Sequence, residues 1–164
     1  TMIIVTNKVL KYKNFLYKCA IGMNGITNTK IEGDKCTPSG IYSIDKIYYR
    51  VDRLSLPRLN FRTIPINKNF GWCDDVSSSF YNKFIKFPIS YSAEILYRED
   101  DIYNIICIIN YNTNPIIKNK GSAIFLHIAN PDYSGTAGCL ALKQNDLIEL
   151  LQNIDTNTKI NILD

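Results

Sequence analysis

Short apolar runs alternate with polar pairs along the opening of the chain: Met2-Ile3-Ile4-Val5, then Val9-Leu10-Lys11-Tyr12, then Phe15-Leu16-Tyr17-Lys18-Cys19-Ala20-Ile21-Gly22, separated by Asn-Lys and Lys-Asn. Runs of this length between turn residues predict a β-meander. The turn cluster Gly33-Asp34-Lys35-Cys36-Thr37-Pro38-Ser39-Gly40 leads into a predicted strand, Ile41-Tyr42-Ser43-Ile44. From Arg50 to Pro88 the periodicity fades, with prolines at 57, 65 and 88 and the segment Gly71-Trp72-Cys73-Asp74-Asp75. So long an irregular connection reads as functional rather than as a linker. Tyr103 to Tyr111 contains Ile105-Ile106-Cys107-Ile108-Ile109, a run suited to a strand buried on both faces. Ile124-Phe125-Leu126-His127-Ile128, Leu140-Ala141-Leu142 and Lys159-Ile160-Asn161-Ile162-Leu163 predict further strands. Gln144 to Gln152 is the one good helical segment, with apolar residues at 147, 148, 150 and 151 and candidate caps before them. The pattern implies a single mainly-β domain over residues 1–164, a mixed sandwich or open barrel with few short helices.

Composition narrows the function classes. The 164 residues are 46% hydrophobic and 21% charged, enough for a core without disulfides or metals. The net charge of +4 is scattered rather than gathered into a basic stripe, which argues against a nucleic-acid partner. No run approaches the length of a membrane span, and Thr1-Met2-Ile3-Ile4-Val5 lacks the charged segment of a signal peptide. The cysteines, at 19, 36, 73, 107 and 139, include no C-x-x-C pair, so zinc and dithiol readings are poor. Cys19 and Cys107 read as core, whereas Cys36 and Cys73 fall in loops where exposure is expected. Asp74 and Asp75 lack a second histidine or a spaced third acid, so no metal site is expected.

The only histidine, His127, precedes by twelve residues a cysteine in the small-residue turn Ser134-Gly135-Thr136-Ala137-Gly138-Cys139. A thiol attacks as thiolate, and an imidazole is the usual group that removes its proton. Gly138 allows close approach or positive φ, while Thr136 and Ala137 leave the turn unobstructed. Such a turn should expose the sulfur and leave N–H groups for an oxyanion. The competing reading is a hairpin with a buried cysteine beside a satisfied strand histidine. Trp72 is either a wall for a ligand or an anchor packing onto the core.

The segment from Ser122 to Leu142 resembles the active-site stretch of the YkuD-type L,D-transpeptidases, in which a histidine precedes a Gly-Cys signature. Gly33-Asp34, Thr37-Pro38 and Gly40-Ile41-Tyr42 resemble a second element of that family. Gly71-Trp72-Cys73-Asp74-Asp75 and the T-A-G-C-L-A-L form of the signature are similar to one of its subgroups. Ala137 and Ala141 stand where the common signature has histidine and arginine, which leaves open how a substrate carboxylate is held.

The resemblance implies a YkuD-like β fold and a cysteine acyltransferase of peptidoglycan stem peptides, without metal or cofactor. Cys139 would be the nucleophile, His127 the base, oriented by a backbone carbonyl, and Gly138 part of the oxyanion site. Thr136, Ala137, Trp72, Asp74, Arg53 and Tyr133 would contact substrate, Arg53 being the first choice for the carboxylate among Arg50, Arg53, Arg58, Arg62 and Arg98. The thioester would be resolved by an amine of a second stem, or by water in an L,D-carboxypeptidase or endopeptidase; a non-catalytic wall-binding module is the third alternative. The substrate implies a periplasmic or envelope location, and a monomer is the expectation.

Overall fold

The computed structural model describes residues 1–164. Along the chain run β1 (Ile3–Thr6), β2 (Val9–Tyr12), β3 (Phe15–Lys18), β4 (Ile26–Thr27), β5 (Thr37–Pro38), β6 (Gly40–Tyr49), β7 (Thr63–Pro65), β8 (Phe70–Cys73), β9 (Phe84–Lys86), β10 (Ala93–Ile95), β11 (Ile105–Ile109), β12 (Phe125–Ile128), β13 (Leu140–Leu142), α1 (Gln144–Gln152) and β14 (Lys159–Ile162). The meander forms as the pattern predicts. Asn7-Lys8 and Lys13-Asn14 are two-residue hairpin loops, and Lys8 and Lys13 take φ of 62° and 51°, the left-handed geometry that matches strand twist.

The main sheet runs β13-β12-β11-β6-β14-β1-β2-β3, with β7 beside β6. The ten residues of β6 join its two halves: Gly40–Ser43 pair with β14, Ile44–Tyr49 with β11. Beyond β3 the chain returns to the opposite edge, where Ala20 and Ala141 exchange hydrogen bonds of 2.8 and 3.0 Å. This contact draws the sheet into a nearly closed, barrel-like form.

Two cores lie on opposite faces of β11, β12 and β13. The pleat sends Ile105, Cys107 and Ile109, with Leu126, Ile128, Leu140 and Leu142, into a core of 23 buried residues shared with Leu147, Leu150 and Leu151 of α1. Ile106, Ile108, Phe125 and Cys139 face a second core of 11 buried residues, covered by the small sheet β10-β8-β9. A strand covered on both sides has no polar face, which explains the unbroken apolar run of β11. No helix is long and apolar enough to cross a membrane.

The stretch from Arg50 to Pro88 departs from its reading as irregular, since it holds β7, β8 and β9. These strands have three or four residues, and Phe70-Gly71-Trp72-Cys73 is buried at every position, so no alternation marks them. Gly71 is required there: a Cβ would lie 2.5 Å from Phe87 and 2.6 Å from Ile85. Cys73, expected in an exposed loop, is wholly buried for the same reason. The helix begins without a side-chain cap, Lys143 occupying the cap position.

Leu126→Ala, at a fully buried position of the larger core, should lower stability by about 2–5 kcal/mol, whereas Leu16→Ala, 69% exposed on β3, should change it by less than about 0.5 kcal/mol. Urea unfolding of both variants checks the contrast.

Candidate active site

β12 and β13 pair in parallel, with His127 opposite Ala141. Opposed residues share a face, and so do residues two apart on one strand. Cys139, two residues before Ala141, therefore comes out on the same side as His127, facing the small sheet. The two line one cavity of about 330 Å³, with Glu32, Asp74, Glu94, Arg98, Ile102, Tyr103, Ser122, Ala123, Gly135, Thr136 and Ala137 on its wall.

Neither group is exposed as the turn pattern suggested; His127 is 5% and Cys139 6% accessible. The sulfur sits within the end of β12, its S–H donating to the Ala123 carbonyl at 3.2 Å while it accepts the Phe125 N–H at 3.4 Å. Burial pushes the thiol up to about 12, helped by the Glu94 carboxylate and opposed by the Phe125 N–H and the Lys30 ammonium. On the imidazole, Nδ1 lies 2.9 Å from the Ile128 carbonyl. A carbonyl only accepts, so Nδ1 carries the proton and Nε2 keeps its lone pair. Burial drives this imidazole down to about 4 against the bond to Ile128. The resting pair is thus a neutral thiol and a neutral imidazole. Tyr103 packs edge-on against the histidine ring, centroids 5.2 Å apart.

The turn before Cys139 is held by hydroxyls. Thr136 Oγ1 donates to the Cys139 carbonyl at 2.6 Å and accepts the Gly138 N–H at 3.1 Å. Thr37 Oγ1 donates to the Gly138 carbonyl and accepts the Gly22 N–H, both at 2.8 Å. Gly138 has φ of +140°, and a Cβ there would lie 2.8 Å from the Cys36 carbonyl, so a side chain is excluded twice over. With the Gly138 N–H taken by Thr136, the Cys139 N–H joins those of Gly135 and Ala137 as amides of the turn that donate to no other group of the protein. Behind the turn the buried Lys30 is paired with Asp34.

Of the other expected contacts, Thr136, Ala137 and Asp74 lie on the cavity wall and three do not. Trp72 is a core anchor: it is 7% exposed, meets Phe125 edge-on and donates Nε1 to Asn82 Oδ1 at 2.9 Å. Arg53 braces the loop before β11, donating to the carbonyls of Glu99 and Asp100 and to Asn104 Oδ1. Those bonds hold Nη1 and Nη2 on that loop, and Arg53 is not on the cavity wall. Tyr133 stacks under Lys18 outside the cavity. Arg98 is the arginine on the wall, with Nε and Nη2 on Asp100 and Nη1 uncommitted.

Glu32, Glu94 and Asn82 carried no sequence signal. The carboxylates sit in segments without periodicity. Asn82 is buried and uses its whole hydrogen-bonding capacity, accepting from Trp72 Nε1 and the Ala123 N–H and donating to the carbonyls of Tyr111 and Asn112. It thereby fixes Ala123, whose carbonyl accepts the hydrogen bond of the thiol.

The family model of the YkuD L,D-transpeptidase catalytic domain matches residues 1–162. No curated protein matches the chain significantly. Among solved structures, that of Bdellovibrio bacteriovorus Bd1075 is similar at 17% identity and a TM-score of 0.47, over 99% of this chain and 47% of that one. The chain thus spans about half the length of that protein.

Because the folded imidazole stays neutral to about pH 4 while a free one charges near 6.5, the unfolded chain binds a proton in this window that the fold refuses. Stability contributed by His127 is complete above about 6.5 and falls by about 3 kcal/mol as the pH drops to about 4. Glu94, whose carboxyl burial pushes up, acts with the opposite sign, adding stability as the pH falls. Comparison with His127→Gln isolates the histidine: urea unfolding between about pH 7 and about pH 4 should show wild type losing more stability than the variant. Parallel losses would mean a hydrated imidazole.

Proposed function

Because the chain belongs to the YkuD family of L,D-transpeptidase catalytic domains, we propose that it forms peptidoglycan cross-links through a thioester on Cys139. The observation that carries this reading is the parallel register of β12 and β13, which turns the thiol and the free Nε2 of His127 into one cavity.

In the proposed reaction the sulfur attacks the carbonyl of an L-configured stem residue. As the C–S bond forms, the thiol proton passes to Nε2 of His127, and the Nδ1–H bond to the Ile128 carbonyl steadies the imidazolium. The oxyanion accepts the free Cys139 N–H, a donor worth about 3–4 kcal/mol in such sites. Collapse breaks the C–N bond, and His127 returns its proton to the leaving amine. The amine of a second stem then attacks the thioester, its proton goes by way of His127 to the departing sulfur, and the new amide is the cross-link.

The neutral resting pair fits this sequence, since proton transfer and attack proceed together and no charge is buried beforehand. Arg98 takes the carboxylate role in place of Arg53, since it lies on the cavity wall and keeps Nη1 uncommitted. Thr136 holds the turn rather than the substrate. Such a substrate would place the protein in the cell envelope.

Cys139→Ala and His127→Ala should each abolish conversion of muropeptides, read by mass spectrometry, with circular dichroism unchanged. Arg98→Gln should lower kcat/KM by about ten- to a hundredfold, the worth of one charge-assisted contact. Shortened stems without cross-links would replace the amine acceptor by water, and full activity of Cys139→Ala would end the thioester reading.

A further inference from the structure

The cavity around Cys139 carries a charge that its chemistry opposes. Three carboxylates, Glu32, Asp74 and Glu94, stand on its wall. The chain as a whole is basic, with net charge +4, so this excess is local. All five ion pairs of the structure lie elsewhere, joining Lys30 to Asp34, Lys46 to Asp45, Arg50 to Asp52, Arg53 to Asp101 and Arg98 to Asp100. The one cation on the wall, Arg98, spends Nε and Nη2 on Asp100 and pairs with none of the three acids.

Each of the three acids is set in the same way. A hydroxyl pins one oxygen: Tyr81 and Ser122 donate to Glu32 Oε1 at 2.7 and 2.6 Å, Ser92 to Asp74 Oδ1 at 2.6 Å, and Tyr103 to Glu94 Oε1. The second oxygen of each has no protein partner. Beside them His127, 95% buried by its 5% accessibility, turns Nε2 into the same space without a hydrogen bond. Three oriented carboxylates against one arginine that already holds Asp100 with two nitrogens leave the wall with an excess of acceptors, a seat for a group that brings donors and positive charge.

A thiolate or tetrahedral oxyanion formed here faces like charge, which disfavours it. The groups turned toward the sulfur are Glu94 from β10, Tyr103 and Arg98 from the segment before β11, His127 from β12, and Lys30 from the loop between β4 and β5. The Phe125 N–H and the Lys30 ammonium favour the anion, and that ammonium is already held by Asp34 behind Gly138.

We propose that Glu32, Asp74 and Glu94 form a seat for an ammonium group of the donor peptide, and that filling this seat is what releases Cys139 for attack. The inference rests on Cys139 being the nucleophile. A donor with a free side-chain amine then brings its own activator, and the enzyme rests with a protonated, slow thiol until that donor arrives. A neutral donor of equal shape would bind without switching on the sulfur.

Single-turnover acylation, followed by intact-mass spectrometry, tests this without involving the acceptor amine. The donors are a stem tetrapeptide with a free diamino-acid amine and the same peptide acetylated on that amine. Wild type should acylate about ten- to a hundredfold more slowly with the acetylated donor, and Glu94→Gln, which keeps the Tyr103 contact, should bring that ratio close to one. Asp74→Asn, at a half-buried position, should lower it part of the way. Independently, iodoacetamide near neutral pH, read by peptide mapping, should label Cys139 of substrate-free Glu94→Gln about tenfold faster than wild type. Equal acylation by both donors in wild type, or an undiminished ratio in both variants, overturns the seat. If wild type acylates with neither donor, the nucleophile assignment fails, and unchanged labelling in Glu94→Gln then overturns the electrostatic argument as well.

Discussion

The register of β12 against β13 is the constraint on which the rest depends. Strand residues alternate faces with period two, so a slip of one residue would move His127 and Cys139 into the larger core and bring Leu126 and Leu140 into the cavity. What prevents the slip is burial on both sides. Leu126, Leu140 and Leu142 are fully enclosed against α1, and Phe125 is fully enclosed against Trp72 and Tyr103. The return of the chain after β3 locks the outer edge, Ala20 pairing with the same Ala141 that faces His127. The placing of His127 and Cys139 in one cavity is thus a by-product of packing two cores on one sheet.

That origin explains the electrostatic state of the site. A nucleophile on an exposed loop keeps its hydration and ionises readily; one at a strand end between two apolar layers does not. Burial moves the thiol and the imidazole in opposite directions, toward their neutral forms. The backbone supplies local compensation: the Ala123 carbonyl accepts a hydrogen bond from the thiol, and the Ile128 carbonyl accepts one from Nδ1–H. Asn82 extends this scaffold, linking β8, the segment after β11 and Ala123 through one amide.

How far the sequence disclosed this arrangement depended on whether periodicity survived. The meander, β11 and α1 were legible because each has either clean alternation, an unbroken apolar run or helical spacing. His127 and Cys139 were legible as a pair through the glycine turn between them. Residue type alone does not say whether a side chain already has partners, and Trp72 and Arg53, expected at the substrate, lie off the cavity wall, Trp72 on Asn82 and Phe125 and Arg53 on three acceptors of the loop before β11. The acids were invisible because their neighbourhood is assembled from four distant segments. Glu32 follows β4, Asp74 follows β8, Glu94 lies on β10 and their hydroxyl donors come from elsewhere again.

Ala137 and Ala141 take on a different meaning in this setting. Read as letters, they are a histidine and an arginine removed from the signature. In the fold, Ala141 is wholly buried between β12 and the strand-like segment through Ala20, with its side chain on the face shared by His127 and Cys139. An arginine there would place a long charged side chain at a position that is wholly buried. Small residues next to the sulfur therefore keep the space clear, and charge arrives from the opposite layer, where β10 and the loop after it carry Glu94 and Arg98. The sheet that bears the nucleophile supplies position, and the sheet that covers it supplies charge. The two layers meet only through side chains such as Phe125 and Trp72, so the charge around the sulfur can change without disturbing the strand register that places it.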